Sequence, residues 1–466
     1  MKSIKRCQLV MTIFLLLFIA GLGILTARIY KDAPFYITHS DNYRLGRVYD
    51  RNKDVLFDGT KKIDKPDNYL IDVGNLIGDD KGQMENTLVA QNIDKLSNYS
   101  FNSGINNKDG KAAIYTTLDH TANRAAYDAF MGADGCAVAY NYKTGELLVC
   151  TSLPNIDPRS GYGGIENMKS GTLMSKAMYG TVPGSTQKVS TVITAMEILG
   201  QEELFAKSYS CSGYYMNGTG GKIDCHNQWG HGTQNIQQAV ENSCNPFFAQ
   251  LVEDGDMPLE SINEVYTRLG YKVSNGENKD EDENEEEDEA QEQEYIDIDG
   301  IQCFKASTTL TDTSDFATQW GCIGQGETLV SPVQLMMWQS AIANGTGKMT
   351  MPYLIEKVTD VEGNITETAD TDYSEQLFSK ETAASVKQIL LTNGANHYEY
   401  SIPGYKVAVK SGTAQVKHGA EENALLVGFV DDKDFPIAFC VVLENKYSTP
   451  AVAENIVTTM LNSLSR

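Results

Sequence analysis

Apolar positions change character three times along this chain. Residues 7–27 carry no charge and are rich in Leu, Ile, Phe and Val, long enough for one helix to cross a bilayer. Residues 32–115 are of mixed polarity, rich in Asn, Asp, Lys and Gly, and read as a small domain. From 116 the periodicity firms. Residues 122–130 suit a helix, and 136–140 and 146–150 are strand-like runs whose link, Lys143-Thr144-Gly145, reads as a hairpin turn. Val189, Val192, Ile193, Met196 and Leu199 recur at helical spacing, so a helix is expected over 185–199, entered by a Pro183-Gly184 turn and ended at Gly200. Helical patterns follow at 236–241, 247–253, 332–344 and 380–392. Strand patterns then occupy 405–411, 424–430 and 436–443, and an amphipathic helix, 451–464, closes the chain. Helices around strands in series predict an α+β domain, an antiparallel sheet flanked by helices. The expected division is a 1–6 tail, a 7–28 transmembrane anchor, a 32–115 N-terminal domain and a 116–466 main domain. No internal repeat is visible.

Charge refines this outline. Lys2, Lys5 and Arg6 precede the apolar run and favour a cytoplasmic N-terminus, with the rest of the chain outside the cell membrane; Arg28 and Lys31 make the asymmetry modest. A cleaved signal peptide is the alternative, but the run is long for one and no Ala-x-Ala site follows it. The formal net charge is −24, and residues 277–294 hold twelve Asp or Glu against one Lys. Self-repulsion and the lack of apolar residues predict a disordered insertion at 276–298. Its acids lack the spacing of a Ca²⁺ loop, and the overall sign argues against nucleic acid as a partner. Of nine cysteines, Cys211 and Cys225 bracket a Gly-rich loop and could close it as a disulfide. A zinc site adding His226 or His231 is the lesser alternative, and buried free thiols are a third.

The candidate chemistry lies in three short motifs. Ser185-Thr186-Gln187-Lys188 is the single Ser-x-x-Lys of the chain, and its spacing puts a nucleophile and a base on one helical face. Ser243-Cys244-Asn245 and Lys410-Ser411-Gly412-Thr413 follow. Ser-x-Asn also occurs at Ser40-Asp41-Asn42 and Ser100-Phe101-Asn102, and Lys-[Ser/Thr]-Gly at 143–145 and 169–171, so order along the chain selects the copies. A lysine base must be neutral, whereas an unperturbed one at pH 7 is so in only about one molecule in 2,500; depressing it within reach of neutrality costs roughly 4 kcal/mol. Lys410 close to Lys188 would help supply that shift and would attract a substrate carboxylate. Ser243 could relay a proton to a leaving amine and Asn245 orient a substrate amide, while Ser411 and Thr413 offer hydroxyl donors beside Gly412. The N–H groups of Ser185 and Thr413 are candidate oxyanion donors, an element worth about 3–4 kcal/mol. Catalytic residues Ser185, Lys188 and Ser243 and substrate-binding Asn245, Lys410, Ser411, Gly412 and Thr413 thus define acyl transfer without cofactor or metal.

In these motifs the chain resembles the class B penicillin-binding proteins. Arg47-Val-Tyr-Asp50-Arg51-Asn52 is similar to that family's pedestal motif. Ala137-Val-Ala-Tyr140 through Lys143-Thr144-Gly145-Glu146 to Ser152-Leu-Pro154 is similar to its first transpeptidase hairpin. Ile323-Gly324-Gln325-Gly326-Glu327, with Pro332 and Gln334, and Val427-Gly428-Phe429 match further signatures. The short N-terminal segment looks most like the compact penicillin-binding protein A branch. The resemblance implies a penicillin-binding/serine β-lactamase-like transpeptidase domain on an N-terminal pedestal, with Ser185 acylated by peptidoglycan stem peptides and by β-lactam antibiotics. It also implies a SEDS-family glycan polymerase as partner, since the chain has no room for a glycosyltransferase domain. Departures are Leu425-Leu426 where Trp-Phe is common, Lys53 where Gly is usual, and the acidic insertion. A serine β-lactamase is the rival, but no Glu-x-x-Leu-Asn lies between Ser243 and Lys410. A β-lactam sensor or inactive scaffold is the non-enzymatic reading, disfavoured by the six residues ahead of the apolar run.

Overall fold

The computed structural model describes residues 2–38, 44–100, 104, 105, 107, 110–276 and 293–466. The chain opens with a helix, Lys2–Thr38, longer than the 7–28 expected. Within it, Gln8–Lys31 is apolar enough to span a membrane, and its 24 residues give about 36 Å of rise. Leu9, Phe14 and Leu17 are all exposed, so no protein core accounts for their character.

The N-terminal domain is built on a five-stranded sheet that sequence proximity does not reveal. Its order is Ile365–Thr368, Ile355–Thr359, Ala113–Thr116, Arg47–Tyr49, Val55–Asp58. Two of its strands come from far inside the main domain, so residues 32–115 do not form a chain-contiguous unit. Only the pair Arg47–Tyr49 and Ala113–Thr116 runs parallel. Buried Asp50 ties the sheet to the main domain. Its carboxylate accepts the N–H groups of Asn52 at 2.8 Å, Asp54 at 2.7 Å and His120 at 3.2 Å, the last opening the helix His120–Ala129. The turn it stabilises explains the unusual Lys53, which takes φ = +70°, a conformation that costs a side chain about 1–2 kcal/mol and glycine nothing. Lys53 is exposed. Lys53→Gly is therefore expected to stabilise the protein by about 0.5–1 kcal/mol, the gain reduced by the greater freedom of glycine in the unfolded chain; a lower melting temperature would contradict this.

The main sheet is antiparallel throughout, in the order Val407–Val416, Glu421–Val430, Ile437–Leu443, Gly135–Asn141, Leu147–Leu153. Every residue of Ile437–Leu443 and Leu147–Leu153 is buried, which is why the first reads as a continuous apolar run and the second as one up to Cys150. His120–Ala129 and Ala453–Leu464 cover one face, packing Phe130, Ile456 and Met460 against Phe439 and Val441. The other face carries Pro332–Ala343, buried along its whole length, and Lys380–His397. Burial of side chains such as Met336, Met337 and Trp338 stabilises by about 1.5–3 kcal/mol each. The α+β expectation and the hairpin at 143–145 agree with this architecture.

Three further expectations differ from the structure. The strand expected at 405–411 continues to Val416, because each residue from Val407 to Val416 has a partner on Glu421–Val430. The acidic insertion was expected to reach 298. Residues 277–292 lie outside the described part, but Tyr295–Ile298 pairs with Ile301–Phe304, with Ile298 and Ile301 buried on either side of the Asp299-Gly300 turn. The disulfide expected between Cys211 and Cys225 is not formed. Both are free buried thiols, and Cys225 Sγ lies 3.5 Å from His231 Nδ1.

Candidate active site

Pro183 and Gly184 bring the chain into a 3₁₀ turn, Gly184–Gln187, and the α-helix Lys188–Leu199 begins only after it. Ser185, the expected helix start, therefore sits in the turn ahead of the α-helix. Gly184 is required at φ = +54°, and a Cβ there would lie 2.6 Å from the Thr413 carbonyl oxygen. The nucleophile turn is thereby pressed against the strand Val407–Val416. Gly412 completes that approach, since its own Cβ would meet the Pro183 carbonyl oxygen at 2.9 Å.

Ser243 reaches the site through a helix end. Helix Ile236–Glu241 closes with the Ser243 N–H on the Val240 carbonyl (3.2 Å) and the Cys244 N–H on the Ala239 carbonyl (3.1 Å). This is the Schellman pattern, whose left-handed position is usually glycine. Here Ser243 occupies it at φ = +49°, at a cost of about 1–2 kcal/mol that only a use for its hydroxyl explains. Helix Asn245–Glu253 starts immediately, with Pro246 in its first turn.

These elements converge on two buried lysines. Lys188 Nζ lies 2.8 Å from Ser185 Oγ, 2.8 Å from the Ser243 carbonyl oxygen, 2.7 Å from Asn245 Oδ1 and 3.3 Å from Ser243 Oγ. The Asn245 amide is held by its own donation to the Asp224 carbonyl at 3.0 Å. The carbonyl of Ser243 and Oδ1 of Asn245 can only accept. A neutral Lys188 would spend its two N–H groups on them and aim its lone pair at the Ser185 hydroxyl. Burial, then the charge of Lys410, pushes Lys188 well below the ordinary lysine range. Lys410 Nζ donates to Ser243 Oγ at 3.0 Å and to the Ser411 carbonyl at 2.9 Å, and burial lowers it to about 7. Ser243 Oγ thus bridges the two amines.

All the singled-out residues meet here. Ser185, Ser243, Asn245, Ser411, Gly412 and Thr413 border one cleft of about 540 Å³, and the buried amines of Lys188 and Lys410 bond to the Ser185 and Ser243 hydroxyls that line it. The Asn245 amide holds Lys188 through Oδ1 and, in the lining of the cleft, keeps a second Nδ2 N–H beyond the one given to Asp224. The competing motif copies fall elsewhere. Residues 143–145 form a turn, Lys169 pairs with Asp134 at 2.6 Å, and 40–42 and 101–102 lie outside the described residues.

Sequence reasoning missed the brace beneath the nucleophile. Gly324, at φ = +101°, lies so close to Gly184 that a Cβ would fall 1.9 Å from the Gly184 carbonyl oxygen, and Gln325 Nε2 donates to the Thr413 carbonyl at 3.2 Å. The Gly-Gln-Gly-Glu signature pointed at this segment without a role. Lys446, which reaches Thr413 Oγ1 at 3.3 Å and pairs with Glu422 at 2.9 Å, left no signal at all.

Comparison with known proteins agrees with this geometry. The family profile described as the penicillin binding protein transpeptidase domain matches residues 135–462. Stage V sporulation protein D of Bacillus subtilis (strain 168) is 25% identical over 343 residues, covering 71% of this chain and 48% of that protein. The peptidoglycan D,D-transpeptidase MrdA of Escherichia coli (strain K12) is 24% identical over 372 residues, covering 73% and 56%. The chain therefore spans about half the length of the curated relatives it matches. Two solved structures share the fold. The D,D-transpeptidase domain of a peptidoglycan glycosyltransferase from Eggerthella lenta superposes with a TM-score of 0.72 at 22% identity, covering 91% of this chain and 98% of that one. Penicillin-binding protein A from M. tuberculosis, as its ceftriaxone acyl-enzyme complex, gives 0.74 at 18%, covering 91% and 99%.

Proposed function

Within the penicillin-binding protein transpeptidase family, to which this chain belongs, we propose that it is a membrane-anchored serine D,D-transpeptidase that cross-links peptidoglycan stem peptides and is acylated by β-lactams. The observation that carries the reading is Ser185 Oγ within 2.8 Å of a buried, depressed lysine whose remaining contacts are acceptors. Lys188 takes the Ser185 proton as Oγ attacks the donor carbonyl. The N–H groups of Ser185 and Thr413 receive the developing oxyanion, and Lys410 with the Ser411 and Thr413 hydroxyls holds the donor's carboxylate. The proton passes from Lys188 through Ser243 to the leaving D-Ala amine, and an acceptor amine from a second stem then releases the acyl group. Asn245 keeps Lys188 aimed at Ser185. The name of MrdA as a peptidoglycan D,D-transpeptidase supports the substrate class. The apolar helix supports a single-pass anchor, Lys2, Lys5 and Arg6 ahead of it support a cytoplasmic N-terminus, and the family resemblance supports a SEDS-family glycan polymerase as partner.

The test is fluorescent penicillin labelling of the full chain, with the label located by peptide mapping. One stable label per chain, on Ser185, is expected, together with D-Ala release and dimer formation from a stem-pentapeptide donor and an amine acceptor. Fast label turnover would indicate a β-lactamase, and labelling without D-Ala release a sensor. Its pH dependence follows from the two lysines. Acylation needs Lys188 neutral and Lys410 charged. The rate should rise with pH through the depressed titration of the pair, then fall as Lys410 loses its proton above about 7. A rate that climbs steadily to pH ~10, where an unperturbed lysine titrates, would remove Lys188 from the role of base.

A further inference from the structure

Lys410 alone is a weak anchor for a substrate carboxylate. It is buried and spends N–H groups on Ser243 Oγ at 3.0 Å and on the Ser411 carbonyl at 2.9 Å. Burial also lowers it to about 7, so at neutral pH it carries its charge only about half of the time. A second ammonium reaches the same end of the cleft: Lys446 Nζ lies 3.3 Å from Thr413 Oγ1 and 2.9 Å from Glu422 Oε2. On the acyl-transfer reading above, on which this role rests, we propose that Lys446 is a positioning residue for the donor carboxylate. Held by Glu422, it acts through the Thr413 hydroxyl and favours donors with a free C-terminal carboxylate.

The lysine is placed by a fixed turn. Just past the strand Ile437–Leu443, Asn445 takes the left-handed conformation, φ = +45° and ψ = +58°, which asparagine adopts more readily than most side chains. The Asn445 N–H donates to Oδ1 of buried Asn423 at 3.1 Å. The Ser448 N–H and Oγ both donate to the Asn445 carbonyl at 2.8 Å. Lys446 follows directly, with Nζ 4.8 Å above the Tyr447 ring. Its side chain is 23% exposed and that of Glu422 26%, so this is no loose surface pair. The hydrogen bond from Lys446 leads the interactions that hold the Glu422 carboxyl below the ordinary range.

The chemistry follows from what each group can give. A threonine hydroxyl has one proton and two lone pairs, and an ammonium can only donate. The bond from Lys446 therefore fills a lone pair of Thr413 Oγ1 and leaves the Thr413 proton to be donated elsewhere; Thr413 lines the cleft. An acceptor that is itself charged gains most from such a donor, because charge-assisted hydrogen bonds are about twice as strong as neutral ones. Glu422 marks the far limit. It faces Gln415 across the strand pair, two residues beyond Thr413, and both line the cleft. A donor whose carboxylate slid past Thr413 would meet the Glu422 carboxylate. Attraction at Thr413 and repulsion beyond it fix where the donor's C-terminus stops.

The experiment compares acylation of the full chain, purified in detergent, by fluorescent penicillin and by its carboxylate methyl ester. Lys446→Met should lower the second-order acylation constant for the free acid by about tenfold, the effect of losing one hydrogen bond from a charged group. With the methyl ester, variant and wild type should agree within about twofold, because the ester brings no charge for Lys446 to favour. Lys446→Arg should recover most of the loss on the free acid. A variant that failed to fold would lose both probes alike, so the ratio between them separates positioning from stability. Lys446→Met acylated by the free acid as fast as wild type, slowed equally on both probes, or matched by Lys446→Arg would each overturn the role of Lys446. A wild-type chain labelled by neither probe would overturn the transpeptidase reading itself, and this role with it.

Discussion

Lys188→Met is expected to slow acylation of Ser185 by fluorescent penicillin by about 10³-fold, within the range that a positioned general base contributes. Methionine matches the length of the lysine stem and can keep the contact with the Phe248 ring, over which Lys188 Nζ now lies at 5.5 Å. It removes the atom 2.8 Å from Ser185 Oγ and leaves the Ser243 carbonyl and Asn245 Oδ1 without their donor. Two effects on stability then oppose each other. Leaving those acceptors unpaired costs about 1–3 kcal/mol, while removing a buried amine relieves its desolvation and the repulsion with Lys410. The melting temperature should move little while the rate collapses. A rate within an order of magnitude of wild type would show that another group takes the proton.

Gly324→Ala tests the brace under the nucleophile and is expected to be the most disruptive single methyl in the site. The added Cβ would stand 1.9 Å from the Gly184 carbonyl oxygen and 2.6 Å from Gln187 Cβ, at a φ of +101° that side chains rarely adopt. The backbone cost is about 1–2 kcal/mol and the overpacking another 1–3, so the protein should lose roughly 2–5 kcal/mol of stability. The turn holding Ser185 must shift to make room. A displacement on the order of 1 Å in a reacting atom costs about 10²-fold in rate. Gly326→Ala is the control, two residues away at φ = +66°, with Trp320 Cδ1 at 3.7 Å as its nearest neighbour. It pays a similar backbone cost without the clash, so its acylation rate should stay near wild type. Equal rates in the two variants would show that the close approach of Gly324 does not position the nucleophile.

Much of the site was legible because its parts are local. Ser185 and Lys188 are three residues apart, and Pro183-Gly184 dictates the turn before them. Lys410-Ser411-Gly412-Thr413 follows a β-branched run that could only be a strand. The main sheet was legible for the same reason, its central strand Ile437–Leu443 being buried at every position and hence continuously apolar. The N-terminal sheet was not. Ile355–Thr359 pairs with Ala113–Thr116 across more than two hundred residues, and neither strand's pattern names its partner.

By itself, then, the sequence determined the local geometry: which segments become helix or strand, and that a serine and a lysine share one turn. Short-range sterics, turn residues and the periodicity of apolar positions are written in neighbouring residues. Only the tertiary structure decided that one serine hydroxyl bridges Lys188 and Lys410, that Gly324 presses on Gly184, and that Lys446 reaches Thr413. Those juxtapositions come from how helices and strands distant in sequence pack against one another. Burial in that packing, with a second amine beside it, is what depresses Lys188 far enough to act as a base.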